Sequence, residues 1–322
     1  MRPKSLAEFV GQRAVTDNLR VAIEAARLRG EPLDHTLLSG LPGLGKTTLA
    51  ELIAREMGVN LRTAAGPAIE RPADLAGLLT GLRRGDVLFI DEIHRLAASV
   101  EEYLYSAMED FVLDIMLDQG ARARSVRLKV EPFTLVGATT REGLLGPPFR
   151  ARFGVVERLE PYPVEDLRRV AVRSAALLGF RLADEACGIV AERARGTPRL
   201  VNRFLRRLRD FAQVEGKDVL DAATADLGLR RLGVDERGLT AVDRRLLELL
   251  HHGGGGPLGL KTLAVSVGED ERTVEDVYEP FLLREGYVLK TPRGRLLTRR
   301  GADAVGLPPL DDAATEAPLF RA

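Results

Sequence analysis

Three groups of residues in this chain have types and spacings that suit chemistry. Gly40-Leu41-Pro42-Gly43-Leu44-Gly45-Lys46-Thr47 fits the phosphate-loop pattern G-x-x-x-x-G-K-[ST] without a mismatch, and Thr48 follows directly. Gly43 and Gly45 let backbone N–H groups close around a phosphate chain. Lys46 adds charge at the β and γ phosphates, and the Thr47 hydroxyl suits Mg²⁺. Further on, Asp91-Glu92 sets two carboxylates directly after the apolar run Val87-Leu88-Phe89-Ile90. Asp91 would support a metal through its water shell, and Glu92 would orient or deprotonate an attacking water. Near the other end, the stretch 290–300 holds Lys290, Arg293, Arg295, Arg299 and Arg300 and no acidic residue. Tyr287 is the one aromatic nearby, so this charge suits backbone phosphates of a nucleic acid better than stacked bases. The first two groups imply that a nucleoside triphosphate is bound and hydrolysed.

The surrounding pattern supplies elements to hold these groups. Residues 34–39 read as a short buried strand. Leu49, Ala50, Leu52, Ile53, Ala54 and Met57 then recur at helical spacing until Gly58. The glycine loop thus lies between a strand and a helix start, where N–H groups and the helix dipole converge. Residues 60–64 look like a second strand, and Pro72 opens a helix with Leu75, Leu78, Leu79 and Leu82 on one side. The all-apolar segment 87–90 suits the middle of a parallel sheet covered on both faces. Residues 133–138 form another such strand and end in Thr139-Thr140-Arg141, at the same sheet edge as Asp91. Ser99-Val100-Glu101-Glu102 reads as a capping box starting a helix. Residues 111–115 and 126–130, around Gly120, read as an inserted hairpin of the kind that serves a partner. Ahead of the loop, Val15, Leu19, Ala22, Ile23 and Ala26 line a helix, while Phe9 and Val10 either pack or floor a purine pocket.

From residue 159 the pattern turns helical. Segments 165–178, 185–194, 198–214 and 222–232 are separated by Gly179, Gly196, Gly216 and Gly233, as in a helical lid. Arg203, Arg206, Arg207 and Arg209 make a stripe there that is either solvated surface or a subunit contact. Three further helices, 239–250, 260–267 and 274–284, precede strands 287–291 and 295–298 around Pro292-Arg293-Gly294. Three helices and a terminal hairpin make a winged helix. Lys+Arg and Asp+Glu both total 47, so a nucleic-acid partner must be met by a local patch. The lone Cys187 allows no internal disulfide, and the 4 histidines show no metal-ligand spacing. His94 is either structural or a relay. No apolar run is long enough to span a bilayer and no signal-peptide core follows Met1, so a cytoplasmic protein without membrane contact is expected.

Taken in order, the phosphate loop, Asp91-Glu92-Ile93-His94, the inserted hairpin, Gly137-Ala138-Thr139-Thr140-Arg141 and Arg152-Phe153-Gly154 resemble the AAA+ ATPases. More narrowly, they resemble the RuvB family of bacterial Holliday-junction branch-migration motors. Gly196-Thr197-Pro198-Arg199 and Thr291-Pro292-Arg293-Gly294-Arg295 extend the likeness, which runs from about Arg2 to Gly301. It implies an α/β AAA+ P-loop ATPase core over 1–158, a helical lid over 159–233 and a C-terminal winged-helix DNA-binding domain over 234–301. A disordered tail would follow over 302–322. ATP and Mg²⁺ are the implied cofactors. The implied assembly is a homo-hexamer that translocates double-stranded DNA and migrates four-way junctions in recombination and repair. A junction-binding, RuvA-like partner would dock on the 112–130 hairpin, with a junction resolvase as a further associate.

The same resemblance makes Arg152 a finger lent to a neighbouring subunit, Thr140 the γ-phosphate sensor (Thr139 being the other candidate) and Arg199 a second sensor on the lid. Arg2 and Tyr162 would border the adenine, and Glu109-Asp110-Phe111 would lie at the edge of the nucleotide site. Leu41 and Ala121 stand where the family usually has proline, and Lys290 where it has arginine. Two other classes fit part of this pattern. One is a clamp-loader-like or initiator AAA+ ATPase acting on DNA-bound protein; the missing cysteine zinc module and the inserted hairpin weigh against it. The other is a nucleotide-gated DNA-binding regulator, for which Glu92 and Arg152 would be superfluous.

Overall fold

The computed structural model describes residues 2–116 and 125–308. They form two compact units, one running to Val170 and including Thr197–Arg199, the other made of Ala171–Gly196 and the chain from Leu200 onward.

In the first unit, the most apolar segments became the innermost strands. The elements, in chain order, are α1 (Arg13–Arg29), β1 (Thr36–Ser39), α2 (Lys46–Met57), β2 (Leu61–Ala65), α3 (Pro72–Leu79), β3 (Val87–Asp91) and α4 (Ala98–Glu109). The hairpin strands β4 (Val112–Met116) and β5 (Ser125–Lys129), then β6 (Thr134–Thr139), α5 (Pro147–Arg150) and β7 (Val155–Arg158), complete it. Every residue of β1 and β6 is buried, as are the four apolar residues of β3. These three strands sit side by side in a five-stranded sheet of order β2-β3-β6-β1-β7. All its pairings are parallel. Strands buried on both faces need continuous apolar sequence, and parallel neighbours need crossovers, which the helices provide. β2 and β7 take the edges and expose part of their length.

Two local details differ from the sequence pattern. The helix expected to start at Ser99 begins at Ala98, is preceded by extended Ala97, and has no side-chain cap. Leu96 and Val100 are both buried in the core around α3, α4 and β3. Their burial, rather than a hydroxyl cap, sets where this helix starts. Strand β7 was not visible in the sequence because it is short, lies at an edge and carries Glu157 and Arg158. Ala121 lies outside the described residues.

The chain passes into the second unit within α6 (Val164–Leu177) and continues through β8 (Arg181–Leu182), α7 (Asp184–Arg193), α8 (Pro198–Val214, whose first two residues belong to the first unit), β9 (Val219–Leu220) and α9 (Ala222–Arg231). Then come α10 (Ala241–His252), α11 (Leu260–Val267), α12 (Glu271–Thr273), a π turn over Val274–Tyr278, and α13 (Glu279–Arg284). The hairpin β10 (Val288–Thr291) and β11 (Gly294–Leu297) follows, with α14 (Arg299–Ala304) after it. The helix expected over 274–284 is thus interrupted by a π turn. α14 carries the chain across position 301, with Gly301, Ala302 and Ala304 buried; residues 309–322 of the expected tail lie outside the described residues. A seam joins the helical lid to the winged helix inside this unit. Arg195, held at φ 54°, pairs with the fully buried Asp243 at the start of α10 and donates to the Gly238 carbonyl at 2.7 Å. Its guanidinium lies 4.2 Å from the centre of the Phe281 ring.

Candidate functional site

The loop after β1 and the C-terminal ends of β3 and β6 meet because the three strands are neighbours in one parallel sheet. Gly40, Gly43 and Gly45 take φ values of 135°, 83° and 112°, a region that side chains other than glycine rarely enter. A Cβ on Gly43 would come within 2.8 Å of Thr197 and 2.9 Å of the Arg199 Cβ. Arg199, at the first turn of α8, therefore lies against the phosphate loop. Lys46 is buried, and its Nζ donates to the carbonyls of Gly40 at 2.6 Å and Leu41 at 3.0 Å. Burial lowers its pKa, while Asp91 and Glu92 oppose that shift. Leu41 contributes through its backbone carbonyl. An ammonium has three donors, so these two bonds leave one for a phosphate oxygen. Thr47 and Thr48 follow Lys46 in the first turn of α2, both half-buried.

One flank of the loop is aromatic. Tyr162 is buried, its hydroxyl donates to the Leu44 carbonyl at 3.1 Å, and burial pushes its pKa up so that it stays a neutral phenol. A Cβ on Gly45 would meet the Phe9 ring at 3.0 Å and the Tyr162 oxygen at 3.7 Å. Phe9 therefore stands beside the loop, where packing and flooring a purine are compatible roles. Gln12 fastens this corner: its amide donates to the Glu160 carbonyl at 2.6 Å and accepts from the Glu160 N–H at 3.2 Å. Arg2 pairs with Glu51 on α2.

At the other flank stand the carboxylates. Asp91 ends β3 and accepts from the Glu92 N–H at 3.0 Å. Glu92 itself has φ 51° and ψ 46°, which for a residue with a side chain costs on the order of 1–3 kcal/mol. Gly66 backs it closely: a Cβ there would lie 2.5 Å from the Glu92 carbonyl oxygen. Thr140, half-buried, donates to Glu92 Oε2 at 3.3 Å. Thr139 is fully buried; its oxygen accepts from the Arg141 N–H at 3.0 Å and lies 2.9 Å from His94 Nδ1. The two hydroxyls thus have separate places, and Thr140 is the one bonded to Glu92.

Arg152 stands apart from these groups. Its guanidinium donates to the Pro148 carbonyl at 2.7 Å, pairs with Glu109 at 3.2 Å and stacks 4.3 Å from the Tyr105 ring centre. Phe149 and Phe153, both buried, anchor the segment on either side. Among the described residues, none of its bonds reaches Lys46, Thr47, Asp91 or Glu92. Glu109 belongs with this arginine; Asp110 ends α4 and Phe111 packs on Phe133 with 6.1 Å between ring centres. The sequence did not mark Tyr105 as a support for Arg152. The signal available was its i,i+4 spacing from Glu109 on a helix face.

In the second unit, the wing separates its cations by burial. Arg293, at the hairpin turn, and Arg299 are exposed. Lys290 is exposed, with its Nζ 3.0 Å from Glu275, and Arg300 lies 3.5 Å from Glu285. Arg295 differs from the sequence expectation: it is 8% exposed and makes a two-pronged ion pair with Glu279, itself 4% exposed. A guanidinium held in this way braces the wing, with its Nε and Nη2 committed to Glu279. Arg295→Ala would leave a buried carboxylate with only Lys290 near it. We expect it to cost roughly 3–5 kcal/mol of stability, read as a lowered thermal midpoint, whereas Arg293→Ala leaves that midpoint unchanged.

A glycine loop between strand and helix, a carboxylate pair on the next but one strand and a pair of threonines ending the strand between them define a P-loop ATPase of the AAA+ class. The comparisons refine this. Residues 1–159 match the Holliday junction DNA helicase RuvB P-loop domain, 162–235 the RuvB AAA lid domain and 236–306 the RuvB C-terminal winged helix domain. The chain belongs to the RuvB family. It is 54% identical to the Holliday junction branch migration complex subunit RuvB of Chlorobium phaeobacteroides over 100% of this chain and 93% of that protein. Identity is 57% to the Myxococcus xanthus RuvB, over 93% of this chain and 88% of that one. A solved structure of the Thermotoga maritima RuvB Holliday junction branch migration motor superposes with a TM-score of 0.87 at 45% identity, covering 95% of this chain and 98% of that chain. No described helix is long and apolar enough to cross a membrane.

Proposed function

We propose that this chain is the ATP-driven subunit of a branch-migration motor, acting in the cytoplasm on double-stranded DNA at four-way junctions. What carries the reading is the match of three consecutive domains to branch-migration subunits, with the phosphate loop, Glu92 and a basic wing in place. In the reaction, a water attacks the γ-phosphorus of ATP and Glu92 takes its proton. The bond from that phosphorus to the β–γ bridging oxygen breaks, and ADP leaves with the electron pair. Lys46 and the Thr140 hydroxyl hold the γ-phosphate, while Arg199, Tyr162, Phe9 and Arg2 enclose the rest of the nucleotide.

Thr47 and Asp91 fit Mg²⁺. Among the described residues no group of three or more His, Cys, Asp or Glu side chains could hold a metal unaided. A hydroxyl with one carboxylate suits an ion that completes its shell with phosphate oxygens and water, and that offsets the phosphate charge.

Subunits form a closed homo-hexamer in which Arg152 serves the neighbour's nucleotide. The β4–β5 hairpin of each subunit is the docking site of a junction-binding, RuvA-like partner, and a resolvase acts on the same assembly. Arg293, Arg299, Arg300 and Lys290 follow the DNA backbone. Replacing Arg293 and Arg299 together by alanine should weaken duplex binding for all sequences and flatten the slope of affinity against salt by about one to two phosphate contacts. The DNA-free ATPase rate should stay intact, and an unchanged slope in a binding titration would take the wing out of the DNA path. The reading as a whole is tested by strand exchange on a synthetic four-way junction with the partner protein. Exchange is expected with ATP and not with a non-hydrolysable analogue; equal exchange with both would refute a hydrolysis-driven motor.

A further inference from the structure

The 3-10 turn over Ile93–Arg95 is pressed onto β6. Ile93 is buried, and a Cβ on Gly137 of that strand would lie 2.9 Å from its Cδ1. This contact fixes His94, whose side chain is 7% exposed, between the end of β6 and Glu92. His94 Nδ1 lies 2.9 Å from the Thr139 hydroxyl oxygen and Nε2 lies 3.4 Å from Glu92 Oε2. Thr139 Oγ1 accepts the Arg141 N–H at 3.0 Å and keeps its own proton, which Nδ1 is placed to accept. A ring nitrogen that accepts carries no proton, so the neutral imidazole has its N–H on Nε2, facing the carboxylate. Thr140 donates to the same oxygen at 3.3 Å. Two donors therefore converge on Glu92 Oε2, and Oε1 is the oxygen left to receive a proton from water.

We propose that His94 is a positioning residue for ATP hydrolysis, tying Glu92 to the sensor strand through Thr139 so that one carboxylate oxygen is held and the other faces the water. The proposal rests on Glu92 as the proton acceptor. It goes beyond that assignment in making the end of β6 answer for the carboxylate by two routes. One is the Thr140 hydroxyl, whose single proton goes to Glu92, as here, or to the γ-phosphate. The other is Thr139 acting through the imidazole. Movement of β6 would then displace the base as well as the sensor.

The test uses the full-length protein, steady-state ATP turnover and equilibrium binding of a fluorescent ATP analogue. His94→Ala should lower kcat by about 10- to 100-fold with KM and nucleotide affinity near wild type, since a misplaced catalytic group costs on that order. His94→Gln, which can still accept from a hydroxyl and donate to a carboxylate, should recover most of the loss. Thr139→Val should lower kcat by itself and add nothing in the His94→Ala background, because both changes break one chain of bonds. Thermal midpoints monitor folding, and the glutamine variant keeps the test decisive should alanine unfold the turn. A wild-type kcat in folded His94→Ala, a glutamine variant no better than alanine, or independent losses in the double variant would each overturn the proposal. Glu92→Gln separates the two ideas: if it retains turnover the assignment of Glu92 fails, and if it is inactive while His94→Ala is not, the role of His94 alone fails.

Discussion

Glu92→Gln is expected to lower ATP turnover by about 10²- to 10⁴-fold while nucleotide affinity stays near wild type. The amide keeps the size and shape of the carboxylate and can still bond to Thr140, so the turn over Ile93–Arg95 and its contact with β6 persist. Lys46 retains its loop carbonyls, and Asp91 and Thr47 are untouched, so the phosphate chain is still bound. What disappears is the basic oxygen that takes the water's proton. Single-turnover hydrolysis measured beside analogue binding resolves the two effects. Turnover close to wild type with unchanged binding would assign the proton to another group.

The second large effect concerns Arg152. The side chain is held by Glu109, Pro148 and Tyr105, all of its own subunit, and makes no bond to its own Lys46, Thr47, Asp91 or Glu92. An arginine serving another subunit's γ-phosphate contributes about 10³- to 10⁵-fold in rate. Arg152→Ala alone and Lys46→Ala alone should therefore each be nearly inactive, the first lacking an arginine to lend and the second a loop to receive it. In a mixture, some boundaries join an intact Arg152 to an intact Lys46, and ATPase activity should return with a maximum at intermediate ratios. An arginine acting on its own nucleotide would leave every subunit of the mixture defective. No recovery at any ratio, with co-assembly demonstrated by light scattering, would exclude the shared site.

Much of the nucleotide site could be read from sequence because its information is local. The phosphate loop is eight consecutive residues, and the strands ending in Asp91 and Thr139 are continuous apolar runs, which leave little choice of placement. The helices at 198–214 and 260–267 have the bounds that their spacing gives. What stayed hidden depends on partners distant in the chain. Arg295 reads as a DNA contact in its basic run, and only its pairing with Glu279 sixteen residues earlier takes it inside. Ser99 has the letters of a capping box, yet the burial of Leu96 and Val100 starts the helix one residue earlier. His94 is one side chain among polar neighbours until β6 places Thr139 against it. The π turn at Val274–Tyr278 leaves no mark in the periodicity, because a single turn is too short for its apolar spacing to distinguish it from α-helix.

The seam at Arg195 bears on how the chain comes apart. Residue 235 divides the lid from the winged helix as units of family resemblance, but the buried Asp243 takes its guanidinium from the lid side of that line. Opening the winged helix alone would leave the Arg195 guanidinium on the lid without its carboxylate and its ring. The cheaper fluctuation is one in which both sides open together, so the unit of inheritance and the cooperative unit of unfolding have different borders here. In native-state hydrogen exchange, the amides at the end of α7 and the start of α10 should then share one opening free energy. A winged helix expressed without the lid would be a less protected object than the same residues in the whole chain.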